Sequence, residues 1–294
     1  MNILHNPPVD FLKEEKRNDY TISSEMKKVW AVQLDMVQLL IAVCEKHGLR
    51  VYAEGGTLLG AIRHKGYIPW DDDIDMVMLR EDYDKLMELK DEFKHPYFLQ
   101  NVYTDPRYTH RHAQIRNSET ACWSAEKKGC EKRFNQGIFI DIFPADNIPQ
   151  SPRHFAKYYK KEGLARQKFR LVSKLTNKLP DCIYFWLRNK TSFLSDKKRY
   201  AKYEKVLRSV KTIEHGNVCE ISFKHNYPII PRDAFGKPVM VDFEHMKMPI
   251  PQQPHLILEL QFGSDYMTPQ QAPSVHGGLN FDVENSYKTH LVSK

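Results

Sequence analysis

Residues 51–78 read VYAEGGTLLGAIRHKGYIPWDDDIDMVM, and the whole fold assignment hangs on this stretch. Val51 to Glu54 is a short apolar run that reads as a strand. Gly55-Gly56-Thr57 then turns the chain into a short helix whose Leu58, Leu59 and Ile62 fall at helical spacing. Lys65-Gly66 ends that helix, and Pro69 starts a turn. Ile74, Met76 and Met78 alternate with Asp73, Asp75 and Val77. That period of two predicts a strand with Asp73 and Asp75 on one face and Asp72 on the other, while Asp71 stays in the turn.

Upstream, Ser23 or Ser24 caps a helix that carries Met26, Val29, Trp30, Val37, Leu40, Ile41 and Cys44 and stops at Gly48. Downstream, a helix is expected from about Glu81 to Phe93. Strands follow around Tyr97–Tyr103 and His110–Arg116, then over Gly137–Phe143. Residues 50–143 therefore form a mixed α/β (α+β) unit. Composition changes after Pro149. The segment 151–215 is helical in pattern and holds 18 Lys and Arg against 5 Asp and Glu, more than the whole chain's net charge of +7. Beyond Asn217 come short strands, many prolines and a helix over about Gln253–Phe262. The expected organisation is an N-terminal arm (1–22), held loosely, a core (23–149), a basic helical segment (150–216) and an irregular C-terminal part (217–294) that packs on the core and completes the site.

With 41% hydrophobic and 12% aromatic residues among 294, the chain has the material for a sizeable core and is not a disordered protein. It has no run of about 18 apolar residues that would span a bilayer. Its first residues lack the apolar core of a signal peptide, and its five Cys form no CxxC pair. The expectation is a cytoplasmic protein with reduced thiols.

Four acids within Asp71–Asp75 repel one another unless a cation sits among them. Two carboxylates at i and i+2 of a strand suit a hard divalent ion such as Mg²⁺; the competing reading is a solvated acidic turn. Gly55-Gly56-Thr57 at a strand-to-helix junction can cradle phosphate, since backbone amides and a helix N-terminus both attract anions. Asp141 stands alone among Ile138, Phe139, Ile140, Ile142 and Phe143, and a buried carboxylate needs a cation or strong hydrogen bonds. Arg63, His64, Lys65 and Arg116 are candidate partners for phosphate oxygens. The 13 His and 5 Cys show no zinc spacing, and neither a GxSxG elbow nor a P-loop occurs. Strand, Gly-Gly, helix, D-x-D and a later lone Asp is an order similar to that of the nucleotidyltransferase fold of the polymerase-β type, in which three carboxylates meet at one sheet edge.

Residues 54–75, EGGTLLGAIRHKGYIPWDDDID, resemble the signature of the LicD family, which includes bacterial phosphocholine transferases and is related to fukutin and fukutin-related protein. The likeness continues in Ile115-Arg116-Asn117 with Thr120, in Gly137–Pro144, in Phe243-Glu244 to Pro251, and in Phe262–Met267 followed by His276. His245 after Glu244 and Thr268-Pro269-Gln270 after Met267 depart from the family's usual residues. The resemblance implies transfer of phosphocholine or a similar phospho-substituent from a CDP-linked donor such as CDP-choline to a hydroxyl of a cell-surface glycan precursor. It implies Mg²⁺ or Mn²⁺ on Asp73 and Asp75, aided by Asp71, with Asp141 completing the metal site or taking the acceptor's proton. It further implies substrate contacts from Gly55, Gly56, Thr57, Arg63, His64, Lys65, Arg116 and His276. Trp70, with Tyr67, Tyr103 and Trp123, is a candidate cage for a quaternary ammonium. Two alternatives stand beside this reading: a nucleotidyltransferase acting on RNA or a small molecule, and a non-catalytic glycan- or membrane-binding relative. No aromatic-basic RNA module is evident, so nucleic acid is not the expected partner. The basic segment is either a solvated helical face or a dock for an anionic membrane that presents a lipid-linked glycan, which would make the protein peripheral on the inner face of the cell membrane.

Overall fold

The structure is a computed structural model and describes residues 2–130, 134–189, 195–221, 228–270 and 278–292. β1 (Glu15–Arg17) and β2 (Tyr20–Ile22) pair as an antiparallel hairpin. Ser23 then caps α1 (Ser24–His47), its Oγ accepting from the Met26 amide at 3.2 Å, and Gly48 closes the helix in the left-handed region at φ 64°. Trp30, Val32, Leu34, Met36, Val37 and Leu40 of α1 are sealed from solvent, so this helix is the spine of the core.

β3 (Tyr52–Ala53), α2 (Gly55–Arg63), β4 (Asp75–Leu79), α3 (Arg80–Glu88), β5 (Tyr97–Gln100), β6 (Ala113–Asn117), β7 (Ala121–Ser124) and β8 (Ile138–Asn147) follow. The strand order of the main sheet is β5-β6-β8-β4-β3. β4 runs parallel to β8, and the other neighbours are antiparallel. Helices α4 (Pro152–Thr176), α5 (Asp181–Asn189) and α6 (Asp196–Leu207) come next, then β9 (Asn217–Cys219) and β10 (Ile230–Pro231). β9 adds to the far end of β8, giving a seven-stranded mixed sheet. β11 (Val239–Phe243) and β12 (Met246–Ile250) form a hairpin, α7 (Pro254–Phe262) packs on α2, and β13 (Leu279–Asp282) pairs with β7. The architecture is mixed α/β, as expected.

Several expected boundaries moved, and β6 begins at Ala113, three residues after His110. The helix after β4 ends at Glu88, and Lys90–Glu92 form a separate 3-10 turn. β5 stops at Gln100, short of Tyr103, because Asn101 Oδ1 accepts from the Tyr103 and Thr104 amides (2.8 and 3.0 Å) and turns the chain away. β8 runs on to Asn147, since β9 gives its last residues a partner. The N-terminal residues are also held more closely than expected of a loose arm. The Leu4 and His5 amides donate to Asp35 (3.0 and 2.8 Å), and Ile22 is buried.

The main core joins α1, α2, the sheet and the β11–β12 hairpin. A second cluster, with Tyr108, Ile148, Tyr158, Phe169, Tyr200 and Tyr203 among its members, fixes α4 and α6 against the other end of the sheet.

Candidate active site

Parallel pairing of β4 with β8 sets Asp75 opposite Asp141. Register partners on adjacent strands share a face and stand roughly 5 Å apart. The strand begins at Asp75, so Asp73 does not share it, contrary to the alternation expected from sequence. Residues 71–74 instead form the end of a turn. The Asp71 amide donates to Ile68 O (2.9 Å), Trp30 Nε1 to Asp71 O (3.1 Å) and Gln33 Nε2 to Asp72 O (2.8 Å). Off a strand, period-two alternation does not apply. Asp72 therefore does not point away: Asp71, Asp72 and Asp73 each bring a carboxylate oxygen within 4.8 Å of the others.

The N-terminus of α2 closes on these acids. Gly55 takes φ 52°, which a side chain would disfavour, and Thr57 Oγ1 accepts from the Asp75 amide at 2.9 Å. A methyl on Gly56 would lie 2.9 Å from Asp71 Oδ2, and one on Gly55 3.7 Å from Asp75 Oδ2. Asp75's carboxyl is held well above the usual carboxylate range, first by burial and then by the charges of Asp73, Asp141, Asp71 and Glu54. A group surrounded in this way is one that a cation would return to its ionised form.

Asp141 behaves in the opposite sense. Burial works against its charge, but His112 Nε2 at 3.0 Å and Gln114 Nε2, donating at 2.7 Å, hold its carboxyl below the ordinary value. Arg116 stands behind Gln114, donating to Gln114 Oε1 and Gly137 O (2.6 Å each) and to Gln100 Oε1. It is almost wholly buried and acts on Asp141 through Gln114. His112 and Gln114 were not among the expected site residues. Their signal was present, because His110, His112, Gln114 and Arg116 occupy every second position up to and along β6. Glu54 and Glu220 were also missed. Both are buried, and Glu220's carboxyl is driven well upward by burial and then by the nearby carboxyl of Glu54. Gln261 Nε2 donates to Glu54 from α7. Glu220 lies in a run with no periodicity that could have marked it.

Other expected residues lie apart from this centre. Arg63, His64 and Lys65 are at the far end of α2, about 13 Å along the axis from its N-terminus. Arg63 Nη1 donates to Tyr266 O (2.8 Å) and its Nε to His64 Nε2 (2.9 Å), while Lys65 is exposed. The four aromatics have separate partners. Tyr67 is buried in a stack on Trp30 (4.2 Å), Trp70 packs edge-on to Tyr20, Tyr103 meets Tyr200, and Trp123 stacks on His290. Buried Tyr67 cannot face a ligand. His276 lies outside the described residues.

Asp71, Asp72, Asp73, Asp75 and Asp141 offer only hard oxygen donors, and the strained ionisation of Asp75 marks a deficit of positive charge, so this donor set fits a hard divalent cation. Beside it is a helix N-terminus suited to phosphate. The arrangement can hold a metal–diphosphate against a sheet edge that carries a carboxylate–histidine pair.

Residues 48–188 match the family model described as LicD/FKTN/FKRP, nucleotidyltransferase domain. Over 265 residues the chain is 28% identical to the lipopolysaccharide cholinephosphotransferase LicD of Haemophilus influenzae, covering 88% of this chain and 86% of that protein. It is 34% identical over 165 residues to the uncharacterized protein RP689 of Rickettsia prowazekii, about half of each chain (54% and 53%). A further match, 39% over 56 residues, is to the human ribitol 5-phosphate transferase FKRP, covering 19% of this chain and 11% of that one.

Proposed function

Because this chain belongs to the LicD/FKTN/FKRP family, we propose that it transfers a phospho-substituent, phosphocholine first among candidates, from a CDP-linked donor to a glycan hydroxyl. The observation that carries the reading is the in-register pair Asp75–Asp141 with Asp71–Asp73 beside it, directly under the N-terminus of α2. The likeness along most of the chain to a cholinephosphotransferase supports choline, and the short match to FKRP makes ribitol phosphate the next substituent to test. The core is read as a nucleotidyltransferase fold of the polymerase-β type, supported by the family description and by carboxylates on adjacent strands.

Asp71, Asp73 and Asp75 would hold Mg²⁺ or Mn²⁺, which when bound neutralises charge on the diphosphate and on the departing nucleotide. Gly55 and Gly56 leave the backbone bare where donor phosphates approach, and Thr57 fixes Asp75 through its amide. The acceptor oxygen attacks the phosphorus that bears the substituent. The bond from that phosphorus to the bridging oxygen breaks, and CMP leaves with the electron pair. The hydroxyl proton passes to the Asp141–His112 pair, whose orientation Gln114 and Arg116 maintain. Arg63 and Lys65, at the other end of α2, are better placed for a distal part of donor or acceptor.

Incubation with CDP-choline or CDP-ribitol, Mg²⁺ and a glycan should release CMP and leave the phospho-substituent on the glycan. Asp73→Ala with Asp75→Ala should lower turnover ~1,000-fold or more. Wild-type-like activity in that double variant would remove the metal assignment. Pyrophosphate release from a nucleoside triphosphate, without CMP from either CDP donor, would instead identify a nucleotidyltransferase, the reading that the family description keeps open.

A further inference from the structure

α4 is apolar on two sides. Its inner side carries Tyr158 and Phe169 into the second core cluster, and Val172 on the same helix is buried. Its outer side carries Leu164, Leu171 and Leu175, which are 61, 59 and 59% exposed. At 100° per residue these three fall within about 40° of one another on the helix surface, so they form one row along the C-terminal half of the helix. Past the turn, α5 also leaves Ile183, Phe185 and Trp186 45, 44 and 59% exposed. Six large apolar side chains on consecutive helices face water at a cost of solvation that a folded monomer has no structural reason to bear.

Cations accompany the row. Arg153, Lys157, Lys160 and Lys168 lie on the same outer face and are exposed. The one acid of α4, Glu162, is fully buried, where Tyr203 donates to it at 2.9 Å. Asp181, at the start of α5, is met by Arg107 at 2.6 Å, and the same guanidinium donates to Asn177 O and Leu179 O and so fixes the turn that relates the two helices. The outer face thus combines a leucine row, an aromatic tip and a one-signed charge.

We propose that the outer face of α4 and α5 docks on an anionic lipid surface, with the helices lying in the interfacial plane. Apolar side chains that enter the acyl boundary, flanked by Lys and Arg at headgroup level, are what such a surface requires. A second copy of the chain is disfavoured there, because two such faces repel. Nucleic acid would use the cations but leave the leucine row without a role. No helix among the described residues is long and apolar enough to cross a membrane, so the contact is peripheral.

The full chain is sedimented with vesicles of phosphatidylcholine alone and of phosphatidylcholine mixed with phosphatidylglycerol. Retention on the mixed vesicles at low salt and much weaker retention on the neutral ones is expected. Leu171→Glu with Leu175→Glu should weaken mixed-vesicle binding ~10-fold or more, and Lys157→Glu with Lys160→Glu similarly. Because these side chains are exposed, the variants should keep the wild-type melting temperature. Tryptophan emission should shift to the blue on binding, and Trp186→Phe should remove most of that shift while the protein still binds. Equal retention on neutral vesicles, wild-type binding by both double variants, or a preference for an RNA homopolymer over anionic vesicles would each overturn the proposal.

Discussion

A methyl group at position 56 would meet Asp71 Oδ2 at 2.9 Å, closer than carbon and oxygen tolerate. The carboxylate would have to swing away from Asp72 and Asp73. Gly56→Ala should therefore lower Mn²⁺ affinity, measured by calorimetric titration, by roughly 10–100-fold. The melting temperature should hold, since alanine is the better helix former. Unchanged Mn²⁺ binding would refute the link between the glycine and the acids. At this scale the sequence was informative: the glycines and the acids are local motifs whose chemistry is legible from residue type alone. The orientation of Asp72 was not legible. It depends on Trp30 and Gln33 gripping the turn from α1, some forty residues away in the chain.

Strand β6 shows what elements add. Its polar residues alternate, so one face of the strand carries His112 at its entry, then Gln114 and Arg116, beside Asp141 of β8. Arg116 was expected to reach phosphate. In the sheet its guanidinium is occupied by Gln100, Gly137 and Gln114, which makes it a positioning residue for Asp141. Arg116→Met leaves those acceptors unsatisfied and should cost about 1–3 kcal/mol in urea unfolding. It should lower kcat and shift its pH profile while leaving donor KM near the wild-type value. A rise in KM alone would favour direct phosphate contact. The long periodic helices were readable because their spacing repeats over many residues. β5 was overextended because its stop is a side-chain turn at Asn101, which period counting does not register.

For the whole molecule, charge is segregated: the basic helical segment exceeds the total of +7, so the remainder, including the acid cluster, is net negative. Stability should follow pH through groups buried in an unusual state. His64 is pushed down to about 4, first by burial and then by Arg63 and Arg17. Its folded value lies below its unfolded value of 6.5, so the unfolded chain takes up the proton first. The stability that neutral His64 contributes is complete above that unfolded value and is lost as pH falls from 6.5 towards about 4. The raised carboxyls of Asp75 and Glu220 act in the opposite direction. A variant comparison isolates the histidine: melting temperatures of His64→Gln should fall less across this window than those of the wild type. Parallel curves would show that His64 does not set the acid limb.

The chemistry on offer was legible from residue order alone, because glycines, clustered acids and helical or strand periodicity are properties of neighbouring residues. Which residues stand beside which was set by packing between distant segments. Gly66 shows the difference. In the sequence it merely ends a helix. In the fold a Cβ there would meet Glu244 Oε1 at 2.1 Å, and that carboxylate also accepts from the Tyr67 amide (3.0 Å) and Arg17 Nη1 (2.7 Å). Three segments, the β1–β2 hairpin, the loop after α2 and the β11–β12 turn, thus converge on one buried carboxylate. Chain closure over such separations is governed by packing of the whole core, and no local pattern records it.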